Sequence, residues 1–236
     1  MNIIADLHLH TVASQHAYST ITEYAKHALK NNLSVIGVTD HAPAMTDGPH
    51  EYYFMNLRII PDYLAGVRIL KGVELNILDD EGTIDLRSTI LSTLDFAIAS
   101  YHPGTSPAYY TKQQFTNGYL KAMDKNKVII LGHIDNPVVP FDYEQVLIKA
   151  KEKNVLIELN NSSYGGYIRP GSYEIGKQIL ILAKKIGNKI ILNSDAHFHQ
   201  QVGVVDKSIQ LAREVGYPED LIVNTNINLL KEVFNV

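Results

Sequence analysis

Nine residues in this chain have side chains suited to holding a metal ion: His8, His10, His16, His41, Glu74, His102, His133, Asp195 and His197. In Asp6-Leu7-His8-Leu9-His10 the two-residue period of an extended strand puts Asp6, His8 and His10 on one side, with Leu7 and Leu9 on the other. Two imidazoles so placed can share one ion. A lone His-x-His pair is equally well explained by packed or surface histidines. Here, however, most of the other candidates also follow short apolar runs. With no cysteine in the chain, imidazole and carboxylate donors favour zinc, iron or manganese in a hydrolytic site over calcium, magnesium or a cysteine-rich structural zinc. Nine candidates exceed what one tetrahedral ion takes, so two or three metals are implied.

The elements that must position these residues are legible as periodicity. Short β-branched apolar runs at 3–7, 35–39, 67–73, 96–100, 128–131, 155–159 and 190–193 alternate with segments of helical period. Strands apolar on both faces belong inside a parallel sheet covered by helices. The pattern therefore predicts a distorted parallel β/α barrel, whose strand C-terminal ends share one face. His8 and His10, His41, Glu74, His102, His133, and Asp195 with His197 follow six of the seven strands. Pairs at capping-box spacing, Thr20 with Glu23, Thr111 with Gln114 and Asp142 with Gln145, mark helix starts, and Gly187 and Gly216 mark stops. A helix from Ser172 turns Ile175, Ile179, Leu182 and Ile186 towards a sheet. The 45–61 segment is turn-rich, 79–92 is only weakly helical, and 221–223 could add a short eighth strand.

Composition narrows the field. The 236 residues are 45% hydrophobic and 19% charged, with 21 basic and 25 acidic side chains and a net charge of −4. Their mean hydropathy is −0.07. This excludes a disordered chain or a disulfide scaffold and offers no electrostatic footprint for nucleic acid. The longest unbroken hydrophobic run is the five residues 179–183, far short of the roughly 20 a spanning helix needs. The start, Met1-Asn2-Ile3-Ile4-Ala5-Asp6, has no basic leader region, which predicts a cytoplasmic protein. No linker or repeat interrupts the chain, so a single domain over 1–236 is expected.

Taken with Tyr18-Ser19-Thr20 after His16, Thr39-Asp40-His41, Gly72-Val73-Glu74, Tyr101-His102, Gly132-His133, Glu158-Leu159-Asn160-Asn161-Ser162-Ser163 and Ser194-Asp195-Ala196-His197, the chain resembles the polymerase and histidinol phosphatase (PHP) domain family, and within it the small bacterial YcdX-type phosphatases. The resemblance implies a distorted TIM-like (β/α)7 barrel. It implies three divalent ions, zinc foremost with manganese or iron as alternatives. By the family's pattern the first would be held by His8, His10, Glu74 and Asp195. The second would take a bridging Glu74 with His102 and His133, and the third His16, His41 and His197. Glu74, Asp195 and His197 are expected to act directly in catalysis. One departure is Ile134-Asp135-Asn136-Pro137, where close members carry Pro-Gly before Asn-Pro; Asp135 is expected to alter the rim of the site or its charge.

The activity so implied is hydrolysis of small phosphomonoesters by a metal-activated hydroxide, with a small phosphorylated metabolite as partner and neither nucleic acid nor membrane. A homo-oligomer is compatible with the sequence but not marked by it. Arg58 and Arg169 are candidates for gripping phosphate oxygens, and Asp6 and Asp40 for orienting an imidazole through its other nitrogen. His27 falls mid-helix as a packing or surface residue. His50 and His199 are expected on the rim or in solvent rather than as ligands, and His50, with the neighbouring Tyr52, Tyr53 and Phe54, is a candidate for contacting a leaving group. The glycosylation-type sequons at Asn160 and Asn161 are read instead as shaping the sixth loop. The rival functions are a PHP-type phosphodiesterase or nuclease, an amidohydrolase, and a non-catalytic metal-binding barrel.

Overall fold

The computed structural model describes residues 1–107, 109–234 and 236. In chain order the elements are β1 (Ala5–Asp6), α1 (Ile21–Lys30), β2 (Val35–Val38), α2 (Glu51–Asn56), β3 (Tyr63–Leu64), β4 (Val67–Lys71), β5 (Glu74–Asn76), α3 (Ser88–Leu91), β6 (Ala97–Ser100), α4 (Lys112–Ala122), β7 (Val128–Leu131), α5 (Tyr143–Lys153), β8 (Leu156–Asn160), α6 (Ser172–Ile186), β9 (Ile190–Asn193), α7 (Asp206–Val215) and α8 (Ile227–Val233). The seven expected runs all carry strands. Thr20 with Glu23 and Thr111 with Gln114 form reciprocal capping boxes, and Gly187 and Gly216 end their helices in the left-handed conformation. No helix among the described residues is long and apolar enough to cross a membrane.

The strands do not form one continuous ladder. They make two sheets, β1-β2-β4-β3 and β5-β6-β7-β8-β9, parallel throughout except for β3, which pairs antiparallel with β4. That hairpin was not evident in the sequence; it turns through Ala65 and Gly66, both at positive φ. The division falls inside the expected 67–73 strand, which breaks at Gly72-Val73 and resumes as β5 in the other sheet. The chain is tightly packed at this point: a Cβ on Gly72 would lie 2.8 Å from the Phe96 ring and 2.9 Å from Thr39 Cγ2. The 221–223 run is not a strand, and only Ile222 bridges to Ile190.

Single contacts span the two seams. Beyond β2, His41 bridges Glu74; beyond β1, Leu9 bridges Ala196. Deeper along the second seam, the buried Asn224 donates Nδ2 to Ala5 O (2.8 Å) and Leu192 O (2.7 Å) and accepts from Leu192 N (3.2 Å). Asn193 Oδ1 likewise accepts from Leu7 N at 3.0 Å. Side-chain amides thus satisfy backbone groups that a ladder would otherwise pair.

Three apolar clusters hold the sheets. One lies between the second sheet and the helices that follow its strands, including Leu147, Leu180 and Leu211; a second packs α1 on the first sheet through Tyr24, Ala25 and Ala28. The third draws on both sheets, through Ala5, Leu7, Val35, Leu70, Ile98, Ile130, Leu156 and Ile191, and α8 adds Leu230. Within it Phe96 meets Phe234 edge-on at 5.5 Å. Asn224→Ala strands three buried backbone groups and is expected to lower stability by at least about 2 kcal/mol. Urea denaturation measures it, and a loss under about 0.5 kcal/mol contradicts the role of this seam.

Candidate metal centre

All nine candidate ligands converge on one site. Glu74, wholly buried at the start of β5, lies at its hub. Its Oε1 is 2.9 Å from His133 Nε2, 3.2 Å from His102 Nε2 and 3.4 Å from His8 Nε2; its Oε2 is 2.8 Å from His41 Nδ1 and 3.5 Å from His10 Nε2. Asp195 Oδ1 stands 3.1 Å from His10 Nε2 and 3.6 Å from His8 Nε2. His197 and His16 approach through Nε2 at 2.8 Å. Their side chains, 27% and 45% exposed, form the open side of the group. His133 (φ 29°) and Asp195 (φ 57°) reach it from the left-handed backbone region, a local strain of the kind that clusters at functional sites.

The far ring nitrogens are held in place. His8 Nδ1 pairs with Glu158 Oε1 at 2.7 Å, His102 Nδ1 with Asn76 Oδ1 at 2.7 Å and His197 Nδ1 with the Asp195 carbonyl at 3.0 Å, while His16 Nδ1 pairs with Asp47. An acceptor on Nδ1 fixes the proton there and leaves Nε2 as the lone-pair donor. Glu158 is buried itself and also accepts from His133 N (2.8 Å) and Asn193 Nδ2 (2.8 Å). Sequence reasoning gave these orienting residues no role. A lone carboxylate in the apolar 155–159 run was a signal for Glu158, and Asn76 lies in strand register with Glu74. Asp47, in a loop, carried none.

Asp6 and Asp40, expected to orient imidazoles, do something else. Asp40 accepts from Thr11 N (2.7 Å), Ser14 Oγ (2.8 Å) and Tyr53 Oη (2.5 Å), and so folds the loop that carries His16. Asp6 accepts from Ser194 N (3.1 Å) and Ser194 Oγ (2.5 Å) and from Gly203 N (2.8 Å), bracing the turn before Asp195. Both carboxylates are taken by loop donors that the turns leave exposed.

The electrostatics of the cluster suit bound cations. Burial disfavours charge on Glu74 and Asp195, but the imidazoles around them outweigh it and hold both carboxyls well below the usual range. Burial, reinforced by His41 and His197, pushes His10 well down, and burial with Arg169 takes His133 to about 4. Burial opposes charge on His8 too, yet Glu158, Glu74 and Asp195 raise it well above its ordinary value: this is a field built for positive charge.

The fit to metal ions rests on what the protein leaves unpaired. Among the described residues, His8 Nε2, both nitrogens of His10, His41 Nδ1 and Glu74 Oε2 are buried without a hydrogen-bond partner. Carboxylate and imidazole atoms face them across gaps without hydrogen-bond alignment. Three groups bring ligand atoms within 4.8 Å of one another: His8, His10 and Glu74; His41, Glu74 and His102; and His10, His41 and His197. Buried imidazole and carboxylate atoms left unpaired in this way fit a metal ion as the partner that the protein itself does not supply.

The group opens into a cavity of about 650 Å³, which Arg169 lines and Arg58 does not. Arg169 donates to Ser163 Oγ at 3.0 Å and lies 3.7 Å from Asp195 Oδ2. Arg58 sits on a 3-10 turn that buries Leu57 in the core and leaves the arginine in solvent. Neither His50 nor His199 lines the cavity: His50 is exposed and caps α2 through Tyr52 N, Phe54 is in the core, and His199 pairs with Ser19 and meets His27 edge-on. Asp135 is not on the rim; it is buried without a hydrogen-bond partner, and burial raises its carboxyl to about 7.

The profile of the PHP domain family matches residues 6–162. A probable phosphatase of Caldanaerobacter subterraneus subsp. tengcongensis is 43% identical over 232 residues, covering 98% of this chain and 91% of that one. A probable phosphatase of Vibrio parahaemolyticus is 44% identical over 227 residues, covering 96% and 91%. Among solved structures, the histidinol phosphate phosphatase of Lactococcus lactis subsp. lactis, complexed with zinc, L-histidinol and phosphate, has a similar fold: TM-score 0.66 at 20% identity, over 92% of this chain and 95% of that one. Profile and close relatives agree with the buried imidazole–carboxylate cluster: the chain belongs to the PHP domain family.

Proposed function

We propose that this protein is a metal-dependent phosphatase that hydrolyses small phosphomonoesters at a site of three divalent ions, on a TIM-like (β/α)7 scaffold in one domain. The observation that carries the reading is the set of buried, unpaired ligand atoms around Glu74 at the floor of a cavity that also presents Arg169. The phosphatase names of relatives more than 40% identical over nearly the whole chain support it.

His8, His10, Glu74 and Asp195 would hold one ion, Glu74 with His102 and His133 a second, and His16, His41 and His197 a third. His41 lies where the last two sets meet, with Nδ1 2.8 Å from Glu74 Oε2. Nitrogen and oxygen donors without sulfur suit zinc, with manganese or iron as alternatives. Bound there, the ions supply Lewis acidity, bringing the pKa of water towards about 7 and neutralising charge on phosphoryl oxygens.

The chain's own residues prepare that chemistry. Glu158 Oε1 holds the proton on His8 Nδ1, and Asn76 Oδ1 holds the one on His102 Nδ1, so both rings meet the site through Nε2. Arg169, anchored to Ser163, offers its remaining guanidinium donors to non-bridging phosphate oxygens. Glu74 and Asp195 stay ionised, and the apolar clusters behind the strands keep bulk water from the floor. A phosphodiesterase acting along a nucleic-acid strand has less support, because Arg169 is the only lysine or arginine among the residues lining the cavity.

Metal-replete protein is expected to release phosphate from small monoesters, to lose that activity to a chelator and to regain it on adding zinc or manganese. Asp195→Ala is expected to abolish turnover; near-normal release by a variant of verified metal content contradicts the assignment. Glu158→Gln leaves the fold intact but removes the charged acceptor of His8, and is expected to weaken metal affinity about 10- to 100-fold in a competition titration with a chromogenic chelator. Unchanged affinity removes Glu158 from the account. As pH falls through the imidazole range, protons compete for the same nitrogens, and ion content measured by elemental analysis is expected to fall with it.

A further inference from the structure

Given the phosphatase reading, on which this step rests, we propose that the substrate's leaving group is uncharged and largely apolar, an alkyl or aryl group rather than an amino alcohol, a polyol or a nucleoside. The cavity's floor is polar and its outer wall is not. At about 650 Å³ it is far larger than a phosphoryl group needs and lies within the usual range for small-molecule sites. The wall above the ligand cluster is made by Met45, Pro103, Pro137, Val138, Ile168 and Pro170. These come from four separate loops, those after β2, β6, β7 and β8, so no single local sequence accident makes the wall apolar.

Val138 is 66% exposed and Ile168 62% exposed, on the loops that follow the paired strands β7 and β8, and both line the cavity. Branched aliphatic side chains held in water over a polar site gain nothing by packing within the chain. They gain when an apolar group covers them.

Charge points the same way. Among the described residues the only carboxylates lining the cavity are Glu74 and Asp195, both on the floor and both surrounded by imidazoles. An ammonium on the leaving group would find no counter-ion on the wall, and Arg169 would repel it. A polyol gains little more: two neutral polar side chains of the wall turn their acceptors back to the chain, which leaves it the Ser162 hydroxyl and the amide nitrogens of Asn136 and Gln201. Asn136 Oδ1 accepts from Val138 N at 3.3 Å, and Gln201 Oε1 accepts from His197 N at 3.0 Å and Phe198 N at 3.1 Å. With the phosphate fixed at the floor, the largely apolar wall favours leaving groups that need few hydrogen bonds.

The test compares three alkyl monoesters, so that leaving-group reactivity stays similar: benzyl phosphate, glycerol 3-phosphate and O-phosphoethanolamine, each with metal-replete protein. The expected kcat/KM for benzyl phosphate exceeds the other two by about 10- to 100-fold, the discrimination an apolar wall can provide. Val138→Asp and Ile168→Asp alter exposed side chains that the fold does not rely on. Each is expected to cut that preference about tenfold, while inhibition by inorganic phosphate, which binds only the floor, stays unchanged. Equal or better turnover of glycerol 3-phosphate or O-phosphoethanolamine, or a preference untouched by both substitutions, overturns the proposal. Release from none of the three esters contradicts the phosphatase reading itself and removes the inference with it.

Discussion

A single buried carboxylate organises this molecule. Glu74 has no exposure to solvent and lies within 3.5 Å of five imidazoles. Desolvating a carboxylate is costly unless positive charge compensates it, and here the compensation is the ring of histidines together with the ions their lone pairs would hold. The same residue is structural. It opens β5 just after the chain has crossed between sheets, and its backbone bridges His41 at the end of β2. The join between the sheets and the hub of the site are therefore one place, and a disturbance of either is felt by both.

Around that hub the protein separates supplying ligands from holding them still. Glu158, Asn76 and Asp47 pin the far nitrogens of His8, His102 and His16. Asp40 and Asp6 act one step further out, folding the loops that carry His16 and Asp195. Asn193 donates to Glu158 and accepts from Leu7 N, linking the second seam directly to the carboxylate behind His8. These buried polar contacts offset one another's desolvation and fix the rotamers of the cluster.

The convergence of the candidate ligands was legible in the sequence because metal chemistry restricts residue type and a β/α repeat restricts placement. His8, His10, His41, His102 and His133 each follow an apolar run, and the fold brings those run ends together. The helices were legible for a similar reason, since Thr20 with Glu23 and Thr111 with Gln114 satisfy exposed amides by strictly local geometry. What long-range contact decides was not legible. The need for glycine at 72, where the strand breaks, comes from the Phe96 ring, 24 residues away in sequence. The donors that Asp6 and Asp40 accept from depend on which loops arrive nearby, whereas their position beside ligands in the sequence had made both candidates for orienting imidazoles. Arg58 and Arg169 look alike in sequence, but burial of Leu57 turns one outward while the loop after β8 brings the other to the cavity.

The central claim is that the pocket around Glu74 is built to hold metal ions, and anomalous diffraction at the zinc and manganese edges from crystals grown with each metal tests it most directly. The account predicts anomalous peaks about 2.0–2.2 Å from Glu74 carboxylate oxygens, shared with His8 and His10 on one side and with His102 and His133 on the other. Crystals containing metal that show no peak at Glu74, with its carboxylate still facing the bare imidazoles, would contradict it.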